Sequence, residues 1–230
     1  MMSKLVVFDI DGTLTNTYYG DDMCFFDAMN EVLQTNVRQL NWQSCPHRTD
    51  SAYIDFIFRL AIDRPPYQNE LEKVQQLFHQ KLQTKYLERP ELFEAVPGAA
   101  GFFHHLKNRS DVHLGIATGG WKFAGAFKLD IIELDYSNVP FHGSDTHYSK
   151  EHFTREVIQD ACKQANVSSF NEVYYIGDRD YDLLAAQKLG AHFIGMGTRH
   201  KQELIDNGVE WIVDDYTDYS PILEWLSLPQ

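Results

Sequence analysis

Leu5-Val6-Val7-Phe8 place four apolar side chains in a row before the chain turns polar at Asp9. A short β-branched and aromatic run of this kind predicts a strand over Lys4 to Phe8 that is buried on both faces. The period then changes. From Asp21 to Gln34 the apolar positions Met23, Phe26, Met29, Val32 and Leu33 fall close to helical spacing. Ser51 to Ile62 repeats the pattern with Tyr53, Ile54, Ile57, Phe58 and Ala61, and Pro65-Pro66 enforces a break. Leu71 to Leu87 carries Leu71, Val74, Leu77, Phe78 and Leu82 at the same spacing. Nothing between Tyr18 and Leu92 reads as a strand, which predicts an all-helical block of about eighty residues.

After Pro97-Gly98 strands and helices alternate. Strands are predicted at Val112 to Ala117, near Ile131 to Leu134, at Val139 to Phe141, Val173 to Ile176, His192 to Gly195 and Trp211 to Val213. Helices are predicted after Thr118-Gly119-Gly120 through Phe127, from Phe153 to Ala165, from Leu183 to Leu189 and from Ile222 to Leu226. Such alternation implies an α/β, Rossmann-like, doubly wound and mainly parallel sheet with helices on both faces. The expected division is a core of residues 1–16 and 96–230, with an inserted helical domain at 17–95. In sheets of this class ligands bind beyond the carboxyl ends of the strands. Asp9 and Asp11, Thr118 and Asp178 each follow a predicted strand there, so the fold should gather what the sequence scatters.

Charge narrows the partners. The 230 residues carry a net charge of -13, which argues against nucleic acid, because that affinity rests on lysines and arginines neutralising phosphates. No apolar stretch is long enough to span a bilayer, so no membrane partner is expected. Three widely spaced cysteines, Cys24, Cys45 and Cys162, suit neither a disulfide framework nor a zinc site and fit a reducing cytoplasm. The ten histidines show no metal-ligand spacing along the chain. A small phosphorylated metabolite bound by a monomer or weak dimer remains compatible with these bounds.

The chemistry concentrates in Asp9-Ile10-Asp11-Gly12-Thr13. Two carboxylates one residue apart point the same way on extended backbone, and their repulsion calls for a cation or a raised pKa. Gly12 lets the chain turn, and Thr13 offers a hydroxyl and an N–H near an anion. A lone DxD is more often a solvated turn, but the whole string after a buried strand arises by chance in roughly a few chains per thousand. Here the chain resembles the haloacid dehalogenase-like hydrolase superfamily, whose first motif these five residues match. The resemblance implies that Asp9 attacks phosphorus to form an aspartyl-phosphate, and that Asp11 protonates the leaving oxygen and later activates water. Members that cleave carbon–halogen bonds typically lack the second aspartate.

Three further motifs follow in order. Thr118, closing the strand Ile116-Ala117, matches the second; its hydroxyl would hold phosphoryl oxygens with help from N–H groups at Gly119 and Gly120. Lys150 looks like the third-motif lysine that neutralises nucleophile and phosphoryl charge. The family often continues Lys-Pro-x-Pro where this chain has Glu151-His152-Phe153, and Lys122 and Lys128 compete for the role. Gly177-Asp178-Arg179-Asp180-Tyr181-Asp182 matches the fourth. By resemblance Mg2+ would be held by Asp9, the carbonyl of Asp11 and Asp178, with Asp182 bracing the loop. The helical block falls where the superfamily inserts its cap, and His47-Arg48-Thr49-Asp50 looks like the cap's specificity loop, with Arg48 a candidate substrate contact. Tyr18, Tyr19, Asp21 and Asp22 would form its hinge and the pocket rim. The expected activity is hydrolysis of a small phosphomonoester. The same motifs would also serve a phosphosugar mutase, and a regulator that only binds phosphate is disfavoured by the paired aspartates.

Overall fold

The computed structural model describes residues 3–197 and 199–229. The chain opens with strand β1 (Lys4–Phe8) and a short β2 (Thr15–Asn16), then runs through helices α1 (Tyr18–Leu33), α2 (Asp50–Ile62) and α3 (Gln68–Glu88). It returns through β3 (Glu94–Ala95) and α4 (Ala99–Lys107) to β4 (Val112–Ala117), α5 (Lys122–Ile131), β5 (Phe141–His142) and α6 (Lys150–Ala165). It ends with β6 (Glu172–Gly177), α7 (Asp180–Leu189), β7 (His192–Met196), α8 (Lys201–Asp206), β8 (Ile212–Val213) and α9 (Ser220–Trp225). Among the described residues no helix is long and apolar enough to cross a membrane.

The main sheet has the order β5-β4-β1-β6-β7-β8, with every pairing parallel. Strand β1 therefore lies in the middle, which accounts for its uninterrupted apolar run. Val6 and Phe8 pack on one face with Phe102, Phe103 and Leu106, and Leu5 and Val7 on the other with Phe153 and Val157. All four are fully buried, each worth about 1.5–3 kcal/mol of transfer free energy. Register does the rest. Phe8 lies opposite Ile116 on β4 and Ile176 on β6. The residues just beyond, Asp9, Thr118 and Asp178, consequently leave the sheet along a single edge, at the point where the strand order reverses direction.

The three long helices have their own apolar centre, built from residues such as Phe25, Phe26, Ile57, Phe58 and Phe78. That centre extends into the sheet layer through Trp121 and Ala124 beside α5. Trp121 is fully buried, and its indole N–H donates to Ser51 Oγ at 2.8 Å while its backbone N–H donates to Asp50 Oδ2 at 3.0 Å. The two chain crossings into and out of the helical block lie side by side, because β2 pairs antiparallel with β3 (Thr15 with Ala95, Asn16 with Glu94).

Most elements fall where the hydrophobic pattern puts them, and no strand interrupts Tyr18 to Leu92 among the described residues. The strand expected near Ile131 to Leu134 is absent. Ile131 ends α5, and the chain turns so that Leu134 N–H donates to Leu129 O at 3.0 Å. A short apolar run does not distinguish a helix end from a strand. Helices α4 and α8 were not anticipated.

Trp121→Ala should lower unfolding stability by about 3–5 kcal/mol, because it empties a fully buried site where α5 joins the core of the helical block and strips Ser51 of its indole donor. Urea denaturation of the two proteins measures the difference, and a loss under about 1 kcal/mol would mean the helical block is not anchored there.

Candidate active site

Asp9 is the first residue beyond β1, held there by its backbone N–H donating to Ile176 O at 2.9 Å. Its carboxylate is buried and accepts from Lys150 Nζ at 2.8 Å. Gly12, at φ +81°, reverses the chain; a Cβ there would collide with the Tyr18 hydroxyl and the Asp178 carboxylate. Thr118 is buried at the end of β4, where its Oγ1 accepts from Gly120 N–H at 3.1 Å. Gly119 O accepts from Asp50 N–H at 3.0 Å and Gly120 O from Ser144 N–H at 2.9 Å, so this turn is fixed from two sides.

Lys150 is the first residue of α6 and also pairs with Asp182. Asp182, fully buried, accepts backbone N–H groups from Asp178 at 3.2 Å and Arg179 at 3.1 Å, closing the first turn of α7. Asp178 receives the Tyr18 hydroxyl on Oδ2, while its Oδ1 is buried with no hydrogen-bond partner among the described residues. Oxygens of Asp9, Asp178 and Asp182 lie within 4.8 Å of one another.

Three buried carboxylates thus share one buried lysine. Burial, opposed by Lys150 and aided by Asp182, pushes Asp9 up to about 7. Burial, with the charges of Asp182 and Asp9, holds Asp178 well above the usual carboxylate range. Burial alone would lower Lys150, but Asp182 and Asp9 outweigh it and keep the ammonium above its ordinary range. Three carboxylates set around one ammonium make a cation-binding arrangement. The donor set is all oxygen and one oxygen is buried without a partner, so the residues present fit magnesium, which would be held by Asp9 and Asp178. Bound there, such an ion would supply positive charge to a cluster otherwise served by one lysine.

Asp11 faces a different cation. Both its oxygens lie 2.8 Å from Nζ of Lys128, whose side chain is 1% exposed, and the same ammonium pairs with Asp21 of α1. Burial lowers Lys128, but Asp11 and Asp21 more than offset it and raise it. Thr17, next to β2, also donates to Asp11. From the sequence Lys128 reads only as a rival for the Lys150 position, and the structure instead gives each lysine one aspartate of the first motif, Asp9 to Lys150 and Asp11 to Lys128. A signal was present: on α5 Lys128 falls on the same stripe as the buried Ala124 and Gly125.

These groups open into a cleft of about 380 Å3 between the sheet edge and the helical block. Asp9, Asp11, Thr118, Gly119, Gly120, Lys150 and Arg48 all line it, as do Tyr18, Asp21 and Asp22. The far wall is aromatic, with Phe26, Trp42 and Tyr53. Arg48 donates to Gln43 O at 2.8 Å, which curls its loop back on itself. Thr13 is not among the lining residues; its N–H is committed to Ile10 O at 3.1 Å and its side chain is fully buried. Tyr19 is exposed outside the cleft. The bond from Tyr18 to Asp178 left no trace in the sequence.

The model of the haloacid dehalogenase-like hydrolases matches residues 3–190. No curated protein matches the chain in a sequence search. Among solved structures, one described as a predicted phosphoglycolate phosphatase from Haemophilus somnus 129pt superposes with a TM-score of 0.62 at 17% identity, covering 98% of this chain and 99% of its own. A hydrolase from Pseudomonas syringae gives 0.66 at 19%, covering 98% and 99%. A candidate beta-phosphoglucomutase from Bacteroides vulgatus gives 0.67 at 16%, covering 100% and 91%. Such identities speak for the fold alone, whereas the family match spans most of the sequence, Asp9 to Asp182 included: the chain belongs to the haloacid dehalogenase-like hydrolases.

Proposed function

We propose that the protein hydrolyses a small phosphomonoester in a magnesium-dependent reaction through an aspartyl-phosphate on Asp9. The observation that carries this reading is Asp9 itself, buried at the floor of the cleft, bonded to Lys150 and adjacent to the unpartnered oxygen of Asp178.

In the first step a carboxylate oxygen of Asp9 bonds to phosphorus as the ester P–O bond breaks, and the leaving oxygen takes a proton from Asp11. Lys150 balances charge on the nucleophile, while the Thr118 hydroxyl, oriented by the Gly120 N–H that it accepts, and the Gly119 N–H hold the phosphoryl oxygens. In the second step water bonds to phosphorus and gives its proton to Asp11, the P–O bond to Asp9 breaks, and phosphate departs. Residues 17–95 act as a cap over the core of 1–16 and 96–230, and the β2–β3 pair is its neck. The aromatic wall and Arg48 then meet the leaving group, and closure keeps bulk water from the phospho-enzyme. Lys128 is a positioning residue: it aims the Asp11 carboxylate and joins it to Asp21 on the cap.

Phosphate release from a panel of phosphorylated metabolites tests the reading. Asp9→Asn should reduce release by at least about three orders of magnitude while leaving the thermal transition in place. Interconversion of sugar phosphates with little free phosphate would replace the hydrolase by a mutase, and unaltered release by the variant would remove Asp9 from the mechanism.

Lys128→Met leaves the Asp11 and Asp21 carboxylates without their shared cation. Stability in urea should fall by about 3 kcal/mol, near the lower end for breaking a buried pair because both acids retain some solvent. An unchanged midpoint would show that the bridge is dispensable.

Magnesium binding should strengthen as pH rises. Asp9, pushed up to about 7, must release its proton before it can act as a ligand, so protons compete with the metal below that value. Calorimetric titrations should show apparent affinity increasing as pH rises, by up to about tenfold per pH unit for each ligand carboxylate that must lose a proton, with Asp9 and Asp178 both raised. Affinity that is flat or falls between pH 6 and 8 would contradict the assignment of Asp9 as a ligand.

A further inference from the structure

Although the histidines show no ligand spacing along the chain, the fold brings two of them together on the outer side of α6. His152 and Glu156 stand four residues apart on this helix and therefore share a face. His147, from the loop between β5 and α6, lays its ring against that of His152 with centroids 3.5 Å apart. His147 Nε2 lies 3.8 Å from Glu156 Oε1, and one ligand atom from each of the three residues falls within 4.8 Å of the others.

We propose that His147, His152 and Glu156 form a second metal site, separate from the carboxylate cluster at Asp9 and suited to a divalent ion of the zinc class. Two imidazoles and one carboxylate are the donors that zinc favours and magnesium does not. Ligand bonds of about 2.1 Å in a tetrahedron place donor atoms about 3.4 Å from one another, close to the present spacing of the ligand atoms, and binding requires the two stacked rings to turn apart so that one nitrogen of each faces the ion. A fourth position stays open to water.

The surroundings support the same role. The other oxygen of Glu156 lies 3.7 Å from His142 Nδ1, and His142 Nε2 lies 2.9 Å from Asp160 Oδ2. A His–Asp pair thus stands behind Glu156 at ion-pair distance, where metal binding can draw it in as an outer partner of the carboxylate. All of these side chains are partly exposed, so an ion can reach them.

The site sits at a junction. Its loop supplies Tyr148 O to Thr49 Oγ1 at 2.9 Å and Ser144 Oγ to Ser51 N–H at 3.4 Å, and it leads directly into Lys150. An ion joining His147 to α6 therefore braces the turn that carries Lys150 and receives the start of α2.

Isothermal titration of the full chain with zinc sulfate, in excess magnesium, tests the proposal. One equivalent should bind, accompanied by a rise in the thermal transition. His147→Ala and His152→Ala should each weaken binding by roughly tenfold or more, and His142→Ala by a smaller factor. Asp178→Asn should leave zinc binding intact, and excess magnesium keeps the assignment testable if that variant does not fold. Absence of binding at sub-millimolar zinc, binding indifferent to both histidine substitutions, or binding displaced by magnesium would each overturn the proposal.

Discussion

The site depends on an imbalance of charge. At the carboxyl edge of the sheet, Asp9, Asp178 and Asp182 are buried together with a single lysine, Lys150. Placing carboxylates out of water is costly unless each finds a partner, and breaking such a group destabilises the fold by several kcal/mol. The edge can bear it because the cost is shared. Asp182 is satisfied by two backbone N–H groups and Lys150, Asp9 shares that lysine through one oxygen, and one oxygen of Asp178 is buried with no hydrogen-bond partner among the described residues. The loop that braces the site and the residues proposed to use it are therefore different members of one electrostatic cluster.

A second lysine separates the two adjacent aspartates of the first motif. Lys150 comes from α6 to Asp9, and Lys128 comes from α5 to Asp11, so neighbours in sequence acquire unlike surroundings. Lys128 also reaches Asp21, and Tyr18 reaches Asp178, so the first turns of α1 touch both halves of the site. Any movement of the helical block relative to the sheet must break or re-form these contacts. On the proposed reading they are the means by which closure over a substrate is felt at the reacting groups.

Much of this was legible in the sequence, for identifiable reasons. A central parallel strand must be apolar on both faces, so β1 announced itself, and a chemical group at its end was conspicuous as Asp9. The parallel register then placed Thr118 and Asp178 beside it without further information. What the sequence did not disclose depends on side chains meeting across distant elements. Lys128 reads as one lysine among several until α5 is seen to bury it. Tyr18 reads as a helix residue until its hydroxyl meets Asp178, and His147 is unrelated to Glu156 until the loop folds onto α6. Thr13, a phosphate contact by its motif position, has its N–H donated to Ile10 O and its Oγ1 buried with no hydrogen-bond partner among the described residues, which only the folded turn at Gly12 discloses.

Every step of the proposed reaction passes through a phosphoryl group covalently held on Asp9. Acid quenching of the magnesium-loaded protein during turnover, followed by peptide mass spectrometry, tests this directly. A phosphoryl adduct on the peptide containing Asp9, gone once substrate is exhausted, is the expected result. Vigorous phosphate release with an unmodified Asp9 at every quench time, or an adduct on another residue, would contradict it.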